Sequence, residues 1–275
     1  MLIIVCALEC EARPIISTLG LKKTSILDAF QVFEGNENFL LVTGVGTLKT
    51  AVATTALISK LSDRKDLSAA LFLNIGICGA TKAFSIGEAL LPHTIIHANH
   101  KKKFFQELLV KHPFKEVSLS TSDSPVTTVD SLQTDIVDME AFGFFQAVTT
   151  FLLTTQASCV KVVSDNCQGV LLNKDAVSKM IADNFDNIKN YYSSLLQAIK
   201  KEPVLNDNEK LLLKNLSSSL NFTAYQEIEL EKMAVSFKVR SKGELEFLTS
   251  FLSIAPQNKA EAKAAFLSIQ GRLNA

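Results

Sequence analysis

Residues 135–166 read Asp-Ile-Val-Asp-Met-Glu-Ala-Phe-Gly-Phe-Phe-Gln-Ala-Val, then a Thr-rich patch, then a run ending Ser-Cys-Val-Lys-Val-Val-Ser-Asp-Asn. Two β-rich apolar runs, Ile136 to Met139 and Cys159 to Val163, flank a helix-like segment that starts near Glu140. Strand, helix, strand in this order predicts a parallel crossover unit and an α/β fold. Each run ends in a carboxylate, Glu140 and Asp165. Parallel sheets place ligands at the carboxyl ends of their strands, so both acids are expected in one cleft.

Outward from this stretch, Leu2 to Ala7 reads as a buried first strand, followed by a turn with Glu9 and Glu11 and a short helix around Arg13 to Leu19. Gln31–Glu34 and Phe39–Thr43 form a hairpin pair, and Thr43-Gly44-Val45-Gly46 opens a helix to Leu61. Ala69 to Ile75 is a core strand ending in the Gly-rich turn Gly76-Ile77-Cys78-Gly79-Ala80. Strands are expected at Ile86–His97 and Lys115–Thr121, with Ser122 to Val126 as a loop. The stretch from Asn173 to Lys201 carries apolar residues at helical spacing and should end at Lys200-Lys201-Glu202-Pro203, because proline cannot continue the ladder. Beyond it, Asn206–Leu220, Thr223–Ser236, Lys242–Leu252 and Pro256–Asn274 read as helices. The division is therefore an α/β domain over 1–202 and a small all-helical C-terminal extension over 203–275.

The chain of 275 residues is 47% hydrophobic with a formal net charge of zero. A protein that binds nucleic acid through its phosphates usually carries a basic excess, so no nucleic-acid partner is expected, and the Lys101-Lys102-Lys103 run reads as a solvated loop. Five cysteines, Cys6, Cys10, Cys78, Cys159 and Cys167, show neither metal-ligand spacing nor a disulfide framework, which suits a reducing, cytoplasmic setting. His93 and His97 lie four apart, a metal spacing on a helix but not on a strand, so no metal is expected there. The N-terminal apolar run lacks a basic n-region and is cut short by Glu9, so neither a signal peptide nor a membrane span is expected from it.

Val-Asp-Met-Glu-Ala at 137–141, with Val-Val-Ser-Asp at 162–165, resembles the nucleoside phosphorylase and nucleosidase superfamily, and is nearest in pattern to 5′-methylthioadenosine/S-adenosylhomocysteine nucleosidases and futalosine hydrolases. The resemblance implies a mixed central sheet flanked by helices. It also implies roles: Met139 packs on the ribose, Glu140 accepts hydrogen bonds from its 2′- and 3′-hydroxyls, and Asp165 protonates the purine, oriented by Ser164. Glu11, in Ala-Leu-Glu-Cys-Glu-Ala, falls beside the attacking water. Cys78 and Gly79 belong to a turn whose amides face ribose and nucleophile, and the Val126 backbone reads the purine edge. Lys161 stands where the nucleosidases have an arginine that helps to fix the nucleophile.

Phosphorylases of the superfamily hold phosphate with an arginine and a serine at the positions of Asn74 and Ile77. Losing both removes a cation and a hydroxyl donor, which favours water as nucleophile. Taken singly, Glu140 is a helix N-terminal acid and Ser164-Asp165-Asn166 an Asx turn; their joint order argues for a nucleoside site. The expected activity is hydrolysis of a purine or modified purine nucleoside without metal or organic cofactor, by a homodimer. The alternatives are a phosphorylase or a non-catalytic nucleoside-binding module.

Overall fold

The computed structural model describes residues 1–99, 102–129, 132–167, 173–199, 204–241 and 243–274. The chain divides into two compact units, Met1–Lys200 and Lys201–Ala275. In the first, the strands are β1 (Leu2–Cys6), β2 (Lys22–Thr24), β3 (Gln31–Gly35), β4 (Asn38–Val42), β5 (Leu71–Ala80), β6 (Ala89–His97), β7 (Lys103–Phe105), β8 (Lys115–Thr121), β9 (Ile136–Asp138) and β10 (Ala157–Asp165). The helices are α1 (Glu9–Leu19), α2 (Thr47–Ser62), α3 (Ala141–Phe151) and α4 (Lys174–Ile199).

Alternation along β1 shows how the layers form. Ile3 and Val5 enter a core with residues of α2 and α3, while Leu2, Ile4 and Cys6 enter a second core with residues of α1 and α4. Period-two side chains thus feed both faces of a strand covered by helices on each side. The long apolar stripe predicted for α4 is the face that meets the sheet, through Val177, Ile181, Phe185, Ile188 and Leu195.

β5 is the strand on which the mixed sheet forks. Its first half pairs parallel with β1 from Leu71 to Asn74, and its end pairs antiparallel with β9 through Gly79 and Ala80. Its other edge pairs parallel with β10 from Phe72 to Gly79. Because β10 also pairs with β6, β6 with β8, and β8 with β9, these five strands close on themselves.

This closure corrects two readings of the sequence. β9 and β10 are not a parallel crossover pair: β9 runs antiparallel to β5 and β10 parallel to it, so the two are opposed and β5 lies between them. Apolar periodicity reports which faces are buried, not which way a strand runs. Gly76 to Ala80 is also not a turn, since β5 continues through it and its backbone is taken up by β10 and β9.

Smaller differences have local causes. α1 starts at Glu9 rather than after a turn, because Glu11 at its third position reaches back to accept from the Leu8 N–H, at 2.8 Å. Lys103 lies in β7, and Lys102 donates to Gln146 at 2.8 Å; Lys101 lies outside the described residues. The predicted helix end at Lys200–Pro203 also lies outside them.

The second unit holds α5 (Asp207–Ser219), α6 (Ala224–Ser241), a 3-10 stretch Glu246–Ser253 where an α-helix starting at Lys242 was expected, and α7 (Lys259–Asn274). Lys242 itself is outside the described residues. Leu216, Leu230, Leu248 and Ile269 share one core there. A capping box between Asn206 and Glu209 opens α5, and Lys238 donates to Glu209 at 2.7 Å, tying α5 to α6. Among the described residues, no helix is long and apolar enough to cross a membrane.

α3 packs on α2 where Gly143 meets the start of α2: a Cβ at Gly143 would lie 2.1 Å from the Thr47 carbonyl oxygen. Backbone cannot yield as a side chain tip does. Gly143→Ala is therefore expected to destabilise the first unit by about 3 kcal/mol or more, read as a lowered urea midpoint. A midpoint within error of wild type would contradict this packing.

Candidate active site

Glu11, Cys78, Gly79, Val126, Met139, Glu140, Ser164 and Asp165 all line one cavity of ≈ 240 Å³. Lys161 does not line it, but lies directly behind it. Closing the sheet explains the gathering. β10 sets Asp165 beside Gly79 on one edge of β5, and β9 returns along the other edge to deliver Met139 and Glu140.

Asp165 ends β10 after a register shift between Val163 and Asp165. Such a bulge re-aims the side chain at a strand end. Its Oδ1 accepts from the Cys167 N–H at 2.7 Å, the Asx-turn contact, and its Oδ2 lies 2.8 Å from the Ser164 hydroxyl. That hydroxyl also lies 3.0 Å from the Cys78 carbonyl oxygen. Gly79 leaves room for Cys167, since a Cβ on it would sit 2.8 Å from the Cys167 sulfur.

Glu11 is buried, yet its carboxylate accepts from three backbone N–H groups: Ala7 at 3.0 Å, Leu8 at 2.8 Å and Ile77 at 2.9 Å. Burial nevertheless raises its pKa, against the pull of those donors and of Lys161. Glu140 precedes α3 and reaches across to the start of α2, where Oε1 accepts from the Gly46 N–H at 3.0 Å. Gly46 has φ 118°, a conformation open to glycine, and this presents its N–H to the carboxylate. Desolvation, and then the neighbouring Asp138, push the Glu140 pKa up to about 7.

Asp138 is the site residue that sequence reasoning missed. It lines the cavity and joins everything behind it. Oδ1 accepts from the Thr121 hydroxyl at 2.7 Å, and Oδ2 accepts from the Ala141 N–H at 2.8 Å and pairs with Lys161 Nζ at 2.8 Å. Lys161 is 1% exposed. Burial disfavours its ammonium, but Asp138, Cys159 and Glu140 outweigh that and hold its pKa above the ordinary lysine value. A signal for the pair was present: an aspartate and a lysine, each inside an apolar strand run, must find opposite charge or stay neutral.

Asn74 does not line the cavity. Its amide donates to the Val5 carbonyl at 3.0 Å and its oxygen faces the Cys159 sulfur at 3.5 Å, so it is spent between strands. Among the described residues, the charged groups lining the cavity are Glu11, Asp138, Glu140 and Asp165, all acidic. His93 contacts Thr94 at 2.8 Å and His97 contacts Asp123 at 3.2 Å. Among the described residues, no cluster of three potential ligands forms a metal site.

No protein-family model matches the chain, and no curated protein matches it at a significant level. Solved structures do resemble it. The 5′-methylthioadenosine nucleosidase of Arabidopsis thaliana is 17% identical, with 74% of this chain and 96% of that chain covered and a TM-score of 0.56. The 5′-methylthioadenosine/S-adenosylhomocysteine nucleosidase of Helicobacter pylori is 15% identical, covering 70% and 97%, with a TM-score of 0.56. The corresponding Neisseria meningitidis enzyme, solved with methylthio-immucillin-A, is 17% identical, covering 72% and 96%, with a TM-score of 0.52. This chain thus has the nucleoside phosphorylase-like fold of these nucleosidases.

The raised Glu140 pKa has a signed consequence for stability. Between its unfolded value of about 4.3 and about 7 in the fold, the folded chain keeps a proton that the unfolded chain has lost. Stability therefore falls as pH rises through that window and levels off above it. Glu140→Gln, which keeps an acceptor for Gly46, should flatten this fall and gain on the order of 3 kcal/mol over wild type at pH 8, measured by urea denaturation. Parallel pH profiles for the two proteins would contradict the assignment.

Proposed function

We propose that the cavity binds a purine nucleoside, or a modified one, and hydrolyses its N-glycosidic bond. The observation that carries this reading is the meeting of Asp165, Glu140 and Glu11 in a single cavity with no cationic side chain lining it, among the described residues.

When the bond from C1′ to the base breaks, its electron pair leaves with the base and positive charge develops on the sugar. Asp165 donates its proton to the base nitrogen as the pair arrives, which lowers the barrier to departure. The contacts of Ser164 support this role. A hydroxyl has one proton, but this one lies within reach of two oxygens, the Cys78 carbonyl and Asp165 Oδ2. Ser164 thereby fixes where the Asp165 carboxyl points.

Glu140 as a carboxylate accepts from the two ribose hydroxyls and places negative charge near the developing cation. Glu11 accepts a proton from water as its oxygen bonds to C1′, and its raised pKa makes it a better base than an ordinary carboxylate. Lys161, held by Asp138, keeps positive charge behind this acid cluster without entering the cavity.

Water is favoured over phosphate on electrostatic grounds. A dianion entering this cavity meets four carboxyl groups and, among the described residues, no arginine or lysine lining it, so its desolvation is poorly compensated. Lys161 is already committed to Asp138. Assembly as a homodimer belongs to the same proposal, on resemblance to the nucleosidases.

The test is base release from a panel of purine nucleosides in phosphate-free buffer. Wild type should release base without phosphate, and Asp165→Asn should lower kcat by about 100-fold or more while circular dichroism stays unchanged. Equal rates for the two proteins, or turnover that requires phosphate, would overturn this reading.

A further inference from the structure

Among the buried polar groups that the chemistry above does not use is His97, whose partner adjoins a wall of the cavity. His97, the last residue of β6, is 4% exposed and its ring stands edge-on to Phe142, with centroids 5.2 Å apart. The Asn99 N–H donates to its Nδ1 at 3.2 Å. Nδ1 is thereby an acceptor, which leaves the ring proton on Nε2. Nε2 faces Asp123 Oδ1 at 3.2 Å.

Asp123 stands immediately before Ser124, Pro125 and Val126, which form one wall of the cavity. No described residue from Ser122 to Val129 is fully buried, and Val126 and Val129 are only half-buried, so apolar packing holds this wall weakly. Polar tethers therefore carry much of its positioning. One is at the base of the loop, where the Ser122 N–H donates to the Asp138 carbonyl at 2.8 Å. Another, next to the cavity wall, is the buried imidazole holding the exposed Asp123.

We propose that His97 is a positioning residue for ligand binding: by gripping Asp123, it holds the Ser124–Val126 wall at the spacing a flat base requires opposite Asp165. The proposal rests on reading the cavity as a nucleoside site. His97 itself touches no ligand. Its effect is on how well the base is bound, and only weakly on how fast the bond breaks.

Two readouts test this on the full chain. His97→Phe keeps an aromatic ring against Phe142 and loses the donor, Asp123→Ala removes the acceptor, and His97→Gln restores a donor near the Nε2 position. Hydrogen exchange of the free proteins should show faster exchange at 122–129 in His97→Phe and Asp123→Ala, with β6 and β8 unchanged and His97→Gln close to wild type. With a purine nucleoside, KM should rise about tenfold in either single variant with kcat nearly kept, and the double variant should be no worse. Unchanged exchange in the loop, exchange lost equally throughout β6 and β8, or additive effects in the double variant would overturn the proposal. A wild type inactive on every nucleoside would sink the nucleosidase reading instead, and the exchange result alone would then decide whether the tether exists.

Discussion

An ion pair buried across a glycine holds the site together. Lys161 on β10 is the register partner of Gly76 on β5, and its ammonium meets Asp138 of β9 from the far side of that strand. A Cβ at Gly76 would lie 3.5 Å from Lys161 Nζ and 2.9 Å from Glu11 Oε1, so the space a side chain would fill is used by charge. Burying two ions costs several kcal/mol each unless they are paired and hydrogen-bonded. Asp138 meets that demand with Thr121, Ala141 and Lys161 together. The strand that ends in Asp165 and the strand that leads to Glu140 are thereby fastened to one another through opposed directions and a shared neighbour.

The same pair sets the electrostatics of the cavity. Carboxyl groups crowded in a poorly solvated space cannot all ionise cheaply, which is why burial raises Glu11 and Glu140. One fixed ammonium behind them partly offsets this without offering an anion a place to bind. Among the described residues, the charged lining of the cavity is acidic, which is what the proposed hydrolysis by water rests on. Three backbone N–H groups on Glu11 fix its orientation independently of any ligand.

Much of this was legible in the sequence. Val-Asp-Met-Glu and Val-Val-Ser-Asp named the two carboxylates, and helical spacing in 173–201 placed the long helix on the sheet. Strand direction was not legible, because the period of a buried strand is the same in either sense; β9 was therefore assigned to a crossover it does not make. The glycines at 76 and 79 suggested a turn by type, whereas their use is close approach by Glu11, Lys161 and Cys167 to a continuing strand. The resemblance assigns Asp138 no role beside Glu140, although a charged residue within an apolar run needs an opposite charge, which here is Lys161. The spacing of His97 from His93 points only to a metal, whereas its partner Asp123 is set by β6 and β8 running side by side to the same end.

The second unit has a core and a capped helix of its own. What the account depends on is that a proton donor and a sugar acceptor engage one molecule at the same time. The most direct measurement is a crystal structure with a non-hydrolysable purine nucleoside analogue. The predicted result is a base nitrogen within about 3 Å of Asp165 together with both ribose hydroxyls on Glu140. An analogue bound outside this cavity, or touching one of these carboxylates and not the other, would contradict it.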